Sequence, residues 1–410
     1  MKKFFALLLS LAMVLALVAC GQKDPTPDTP DTPDDPQTKV EYKVAMITDY
    51  GDITDQSFNQ TTYEACKAFA EDNSIEFSYF KPAGDNTADR VAMIEKAVDE
   101  GFNVIVMPGY AFGGAIVEAA PEFPDVKFIA LDVAADDLLE TAVAKAGEAY
   151  DYTPENWDLN KYVDMSNVYC AVYQEELCGY MAGYAAVKLG YKNLGFLGGM
   201  SVPAVVRYGY GFVQGVDAAA ADLGLTDVKL NYIYGGQFFG DADITAVMDT
   251  WYQGGTEVVF ACGGGIYTSA VDAAKKANAK VIGVDVDQAG VIAKYAGVDG
   301  MTVTSAMKGL YPATYDTLTD VIVNGNWDKY VGKIATLGLV SGTDPEANYV
   351  QIPMGDGTQW SDSFTQDDYK AMVKDMFDGK ITVSNNTSSD VSAADFATVI
   401  TVDDQGSIKG

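Results

Sequence analysis

From residue 42 onward, short apolar runs alternate with stretches of helical periodicity. The apolar runs at 42–47, 75–80, 104–107, 128–133 and 168–172 read as strands, and the amphipathic segments 57–71, 88–100 and 113–120 between them read as helices. Such alternation predicts a parallel sheet with crossover helices, an α/β class. The pattern then starts again, with strands at 194–197, 229–234, 258–261, 281–284 and 302–305 and helices at 205–223, 244–253 and 267–278. Two half-sheets of one plan predict two similar lobes.

The echo reaches individual positions. Glu100-Gly101-Phe102-Asn103-Val104-Ile105-Val106 matches Gln253-Gly254-Gly255-Thr256-Glu257-Val258-Val259 in pattern. Each is followed by a glycine-containing loop, a helix and an apolar strand ending in aspartate, Asp132 in the first copy and Asp285 in the second. Polar groups therefore gather at equivalent strand ends, and open α/β sheets bind their ligands outside the carboxyl ends of their strands.

The first such end is Thr48-Asp49-Tyr50-Gly51-Asp52-Ile53-Thr54-Asp55-Gln56-Ser57-Phe58-Asn59. Its carboxylates, amide and aromatics suit a small ligand with a flat face and several hydroxyl or amine donors. The plainer reading is a strand-to-helix turn with Asp and Ser as caps.

Ahead of the two lobes, Lys2 and Lys3 precede an apolar run over 4–18, which reads as a secretory signal over 1–19. Leu17-Val18-Ala19-Cys20 resembles the bacterial lipobox, which implies that Cys20 is diacylated and anchors the mature chain. Residues 21–38 repeat proline, threonine and aspartate with no large apolar side chain to bury, so an extended disordered tether is expected over 20–40. The remaining 370 or so residues are enough for two cores.

Composition narrows the chemistry. A net charge of −31 argues against nucleic-acid binding through phosphate neutralisation. The chain has no histidine, which removes Ser-His-Asp triads, Cys-His pairs and nearly all zinc, copper and non-haem iron sites. No metal or cofactor is expected. Cys66, Cys170, Cys178 and Cys262 lie in apolar surroundings without CxxC spacing and read as buried free thiols, with a Cys170–Cys178 disulfide as the alternative. Gly263-Gly264-Gly265 lacks the lysine of a P-loop, and Asp241-Ala242-Asp243 reads as a helix start rather than a calcium loop. From Ser361 onward a helix near 366–378 and a Ser/Asn/Asp-rich stretch predict a peripheral addition.

The first loop, with Asp55-Gln56-Ser57-Phe58-Asn59-Gln60, resembles the opening motif of the basic membrane protein family of lipoprotein solute receptors, typified by bacterial purine nucleoside receptors. Gln174-Glu175-Glu176 with Gly179-Tyr180 and Ala182-Gly183 is similar too, as is Gly195-Phe196-Leu197-Gly198-Gly199-Met200 with Pro203, Arg207 and Gly211-Phe212. Gly283-Val284-Asp285-Val286-Asp287-Gln288 and Thr304-Ser305 with Lys308 complete the set in family order. The resemblance implies a type I periplasmic-binding-protein fold, two similar parallel-sheet lobes joined by a hinge, delivering nucleosides to an ABC permease.

It also implies roles. Phe58 and Tyr208 take the stacking positions, Tyr208 where a phenylalanine is usual. Asp49, Asp55, Asn59 and Asp132 hold the ligand from the first lobe, with Asp132 placed to accept from a base edge. From the second lobe Asp285 accepts from ribose hydroxyls, Gly263 allows close backbone approach, and Lys308 donates to ribose oxygens while offsetting charge. A structural Asp285–Lys308 ion pair is the alternative for those two residues, and Asp52 and Asp287 read as caps or supporting groups.

The division expected is 1–19 signal peptide, 20–40 linker, 41–172 plus about 303–332 first lobe, and 173–302 plus about 333–410 second lobe. The function expected is capture of a nucleoside, purine favoured, by hinge closure. The protein is expected to be a monomer, membrane-bound through its lipid alone and facing the extracellular or periplasmic side, and not an enzyme. Alternatives are a sugar or signalling ligand on the same fold, or a calcium-dependent nucleoside hydrolase. The hydrolase lacks the adjacent Asp-Asp pair in this loop and any histidine for leaving-group protonation.

Overall fold

The computed structural model describes residues 41–409. The expected signal sequence, Cys20 and the linker at 20–40 lie outside them. The first run of elements is β1 (Lys43–Ile47), α1 (Phe58–Asn73), β2 (Glu76–Phe80), α2 (Thr87–Asp99), β3 (Val104–Pro108), α3 (Phe112–Ala119), β4 (Lys127–Leu131), α4 (Ala135–Lys145), α5 (Leu159–Tyr162) and β5 (Val168–Tyr173). The second is α6 (Glu175–Lys188), β6 (Asn193–Gly198), α7 (Pro203–Leu223), β7 (Lys229–Tyr234), α8 (Ala242–Gln253), β8 (Val258–Cys262), α9 (Tyr267–Ala277), β9 (Lys280–Asp285), α10 (Ala289–Ala296) and β10 (Thr302–Lys308). After these come α11 (Leu310–Leu318), β11 (Lys333–Leu337), β12 (Val350–Gln351), α12 (Gln366–Phe377) and β13 (Thr401–Ser407).

One sheet runs β11-β5-β4-β3-β1-β2 and the other β12-β10-β9-β8-β6-β7-β13. Without the added edge strands, the order 5-4-3-1-2 of the first recurs as 10-9-8-6-7 in the second. Pairing is parallel throughout except between β10 and β12. Central strands β3 (VIVMP) and β8 (VVFAC) are buried along their whole length, as strands covered by helices on both faces must be.

The chain crosses between lobes three times, at Tyr173 to Glu175, Lys308 to Leu310 and Leu337 to Val350. This corrects the expected division. The strand at 302–308 belongs to the second sheet beside β9, and 333–337 joins the first beside β5. Hydrophobic pattern records that a strand is buried but not which sheet it joins, so the pattern could not make that assignment.

Helix α6 is buried on nearly every face, so its sequence carries no amphipathic period to read. It packs against α7 through glycines. A Cβ on Gly179 would sit 2.3 Å from Tyr208 O, on Gly183 2.4 Å from Phe212 O, on Gly211 2.1 Å from Glu176 O and on Gly215 2.1 Å from Tyr180 O. Bare backbones therefore touch, and this contact fixes Glu175 relative to Arg207 and Tyr208.

The segment from Ser361 is integrated rather than peripheral. Phe364 and Tyr369 are fully buried, and β13 extends the second sheet beyond β7. Its strand sequence, TVDDQGS, is too polar to announce itself. Cys66, Cys170, Cys178 and Cys262 are buried and free, so the alternative disulfide is not formed. Among the described residues no helix is long and apolar enough to cross a membrane.

Candidate functional site

The carboxyl ends of both sheets face a shared cavity of about 390 Å³, within the roughly 300–1,000 Å³ usual for small-molecule sites. All nine residues singled out from the sequence line it: Asp49, Asp55, Phe58, Asn59 and Asp132 from one lobe, Tyr208, Gly263, Asp285 and Lys308 from the other. The reason is topological, since each lies at or just past a strand end, or on the first turns of a helix that follows one.

At its base lies a buried chain of charges. Lys308 Nζ donates to Asp132 Oδ2 at 2.5 Å and to Glu175 Oε1 at 3.3 Å, and Arg207 Nε donates to Glu175 Oε2 at 2.6 Å. The alternative Asp285–Lys308 pairing is thus replaced by one that includes Glu175 from the interlobe crossing. Burial works against the Lys308 ammonium, but Asp132, Glu175 and Asp285 overcome it and hold the lysine well above its ordinary range. Burial likewise pushes the Asp132 carboxyl up against the pull of Lys308. The same ammonium sits 4.7 Å from the Phe58 ring centroid, 5.2 Å from Tyr173 and 5.8 Å from Tyr208, so three π faces share its field.

The first loop is largely tied up by its own helix. Asp55 Oδ1 accepts from Ser57 N at 2.9 Å and Gln60 N at 3.1 Å, and its Oδ2 accepts from Asn59 N at 2.9 Å and Asn59 Nδ2 at 3.2 Å. It satisfies the free amides that open α1, the capping role that was the plainer reading. Burial outweighs those bonds and pushes its carboxyl up to about 6. Asp49 Oδ1 accepts from Tyr50 N at 2.6 Å and Gly51 N at 2.7 Å. Asn59 Oδ1 and Asp132 Oδ1, by contrast, are buried with no partner.

Asp285 also has company. Ser57 Oγ donates to its Oδ2 at 2.5 Å across the lobes, and Tyr208 OH donates to its Oδ1 at 3.2 Å. Gln288 Nε2 donates to Gln56 O at 3.1 Å, so the start of α1 touches the second lobe twice. The extra hydroxyl of Tyr208 thereby finds its partner on the carboxylate expected to face a sugar.

Sequence reasoning missed part of the wall. Tyr110 after β3 and Phe238 and Phe239 after β7 line the cavity, and Tyr50 faces Phe238 with ring centroids 6.4 Å apart. Tyr110, Phe238 and Phe239 all come after strands, so the strand-end rule applied to every loop would have found them, as it found Tyr50. Gly263 has a steric role within the protein itself. Its φ is +147°, and a Cβ there would lie 2.8 Å from Phe238 Cδ1 and 3.2 Å from Gly199, so its bareness accommodates protein atoms. Asp52 pairs with Lys81 at 2.9 Å and accepts from Thr54 N.

A family model described as ABC transporter substrate-binding protein PnrA-like, Bmp, matches residues 42–345. The chain belongs to this family. It is 25% identical, over 92% of its length and 96% of the relative's, to the ABC transporter nucleoside-binding protein BmpA of Lactococcus lactis subsp. cremoris. It is 26% identical to an uncharacterized lipoprotein of Pyrococcus abyssi over 74% of this chain and 69% of the other. The fold matches the crystal structure of ABC transporter solute-binding proteins from Aeropyrum pernix K1 with a TM-score of 0.60, at 21% identity over 83% of this chain and 87% of that one. The architecture is a type I periplasmic-binding-protein fold. Membership in the family makes the chain an ABC transporter substrate-binding protein, a role that implies a small-molecule ligand and a membrane permease.

Proposed function

We propose that the chain captures a nucleoside, purine favoured, between its lobes and presents it to an ABC permease, without covalent chemistry, metal or cofactor. One observation carries the reading: Asp132 and Asn59, each with a buried side-chain oxygen that has no partner, line a cavity walled by Phe58 and Tyr208. Buried polar atoms are rarely left unpaired, so the ligand is expected to bring N–H or O–H donors, and rings on the wall favour a planar body between them. Asp49, Asp55, Asp132 and Asp285 around the cavity disfavour a phosphate dianion, which makes a nucleoside the better fit than a nucleotide. The nucleoside-binding name of the Lactococcus relative agrees with this choice.

In this reading open lobes admit the ligand, and closure brings together the Ser57–Asp285 and Gln56–Gln288 contacts. The protein works as a monomer, held at the outer face of the cell membrane through Cys20. Calorimetric titration of the ligand-stripped domain from residue 41 onward with adenosine, guanosine, inosine, uridine and ribose tests it. Micromolar or tighter binding of a purine nucleoside with ribose silent is expected. Silence from every nucleoside in folded protein overturns the ligand class and points to a sugar or signalling molecule.

A further inference from the structure

Residues 398–409 lie beyond the stretch that the family model matches, yet they run to the rim of the cavity. The segment starts at a firm anchor. Asp217 of α7 is buried, and its Oδ1 accepts from Thr398 N at 2.8 Å, Val399 N at 2.8 Å and Ile400 N at 3.2 Å, while its Oδ2 accepts from Thr398 Oγ1 at 2.6 Å. From there β13 runs parallel to β7, from Thr401 opposite Lys229 to Ser407 opposite Tyr234. Ile408 N then donates to Tyr234 O at 2.8 Å.

Beyond the end of β7, the loop carrying Phe238 and Phe239 begins, and Lys409 closes over it. Its Nζ donates to Gln237 Oε1 at 2.9 Å and to the Asp241 carboxylate that caps α8. Gln237 in turn donates through Nε2 to Phe239 O at 3.0 Å and Asp241 Oδ2 at 2.9 Å. At Gly236, with φ +78°, a Cβ would lie 2.7 Å from Lys409 Cβ, so the two backbones meet closely there. The loop is gripped at its start by Ile408 and at its end by Lys409, with the two rings between.

The rings need such support. Phe239 is 56% exposed, and Phe238 rests on two bare glycines, Gly199 and Gly263, with Tyr50 opposite. The loop is also held at its middle, where Phe238 O accepts from Gly265 N at 2.9 Å, but one such bond leaves the exposed ring of Phe239 free to move, and ordering a mobile loop on binding costs affinity. We propose that residues 398–409, through Lys409, are a positioning element that holds the Phe238–Phe239 wall in its binding arrangement before the ligand arrives. This rests on the reading of the cavity as the ligand site, although the bracing itself does not depend on which ligand enters.

The test is Lys409→Met in the otherwise unchanged chain, with Lys380→Met as control, because Lys380 pairs only with Asp375 and Asp378 among the ion pairs described. Hydrogen exchange in the ligand-free protein reads the brace directly. Gly235 N and Gly236 N donate to Gly198 O and Gly199 O, so peptides over 235–241 contain protected amides that report loop opening. Lys409→Met is expected to speed their exchange by about tenfold, the loss of a charge-assisted contact, with the rest of the sheet unchanged. Affinity for the nucleoside is expected to fall by a similar factor, mainly through faster release. Unchanged exchange over 235–241 overturns the brace, whatever happens to affinity. Faster exchange in a protein that binds no nucleoside supports the brace and sinks the nucleoside reading instead.

Discussion

Asp132 just past β4 and Asp285 at the end of β9 occupy equivalent positions of the two lobes, and both take up left-handed backbone, with φ of 59° and 63°. Such a conformation costs a non-glycine residue roughly 1–2 kcal/mol and persists where surrounding contacts enforce it. Here the enforcing contacts differ: Asp132 is neutralised by Lys308, while Asp285 is held by two hydroxyls. One sequence repeat thus yields two carboxylates of unlike character facing one cavity.

Lys308 is the hub of the charge chain. Lys308→Met leaves Asp132 buried without a counter-charge and is expected to cost about 3–5 kcal/mol of stability by denaturant unfolding. Adding Asp132→Asn should recover part of that loss. A double variant as unstable as the sum of the two single ones would show that the pair is not coupled.

Phe58→Ala removes a ring that shares the cavity wall with Tyr208. Nucleoside affinity is expected to drop by more than about tenfold with the fold intact, from lost stacking. Unaltered affinity by calorimetry removes Phe58 from the site.

The α6–α7 contact has no room for a methyl group. Gly211→Ala places a Cβ against Glu176 O and is expected to cost at least about 1–3 kcal/mol, lowering the thermal midpoint. Since the same contact sets Glu175 against Arg207, affinity should weaken too. A midpoint within a degree of the parent would mean that the two helices separate freely.

Glu176 gives a pH signature. Burial chiefly, and then Glu175, push its carboxyl up to about 7 from an ordinary 4.5, and its Oε2 has no partner. The folded state therefore holds this proton more tightly than the unfolded chain, and its contribution to stability falls as pH rises from about 4.5 to 7. Glu176→Gln removes that loss. Relative to the parent, the variant is expected to gain stability across that interval, on the order of 2–3 kcal/mol, and no more above it. A difference independent of pH between 4.5 and 8 would contradict the assignment.

Most of the lining of the candidate cavity was legible because strand ends are legible. Apolar runs stop abruptly at Ile47, Leu131 and Val284, and the aspartates just past them needed only the rule that parallel sheets bind at their carboxyl ends. The roles were harder to read. Asp55 caps α1, Asp285 is engaged by hydroxyls, and a bare Gly263 makes room for Phe238. A motif places a carboxylate near a cavity, but its hydrogen-bond partners come from chain far away and have no local signature.

By itself, then, the sequence determined the elements, the doubling of one half-sheet plan and the acidic, aromatic character of the cavity, since each depends on periodicity or composition within a short window. Only the tertiary structure decided which sheet receives β10 and β11, how α6 lies on α7, which partners Lys308 takes, and that the polar strand β13 pairs with β7 and brings Lys409 to Gln237. These are pairings between residues far apart along the chain. Their energies depend on distance in space, which no local pattern of apolar and polar positions records.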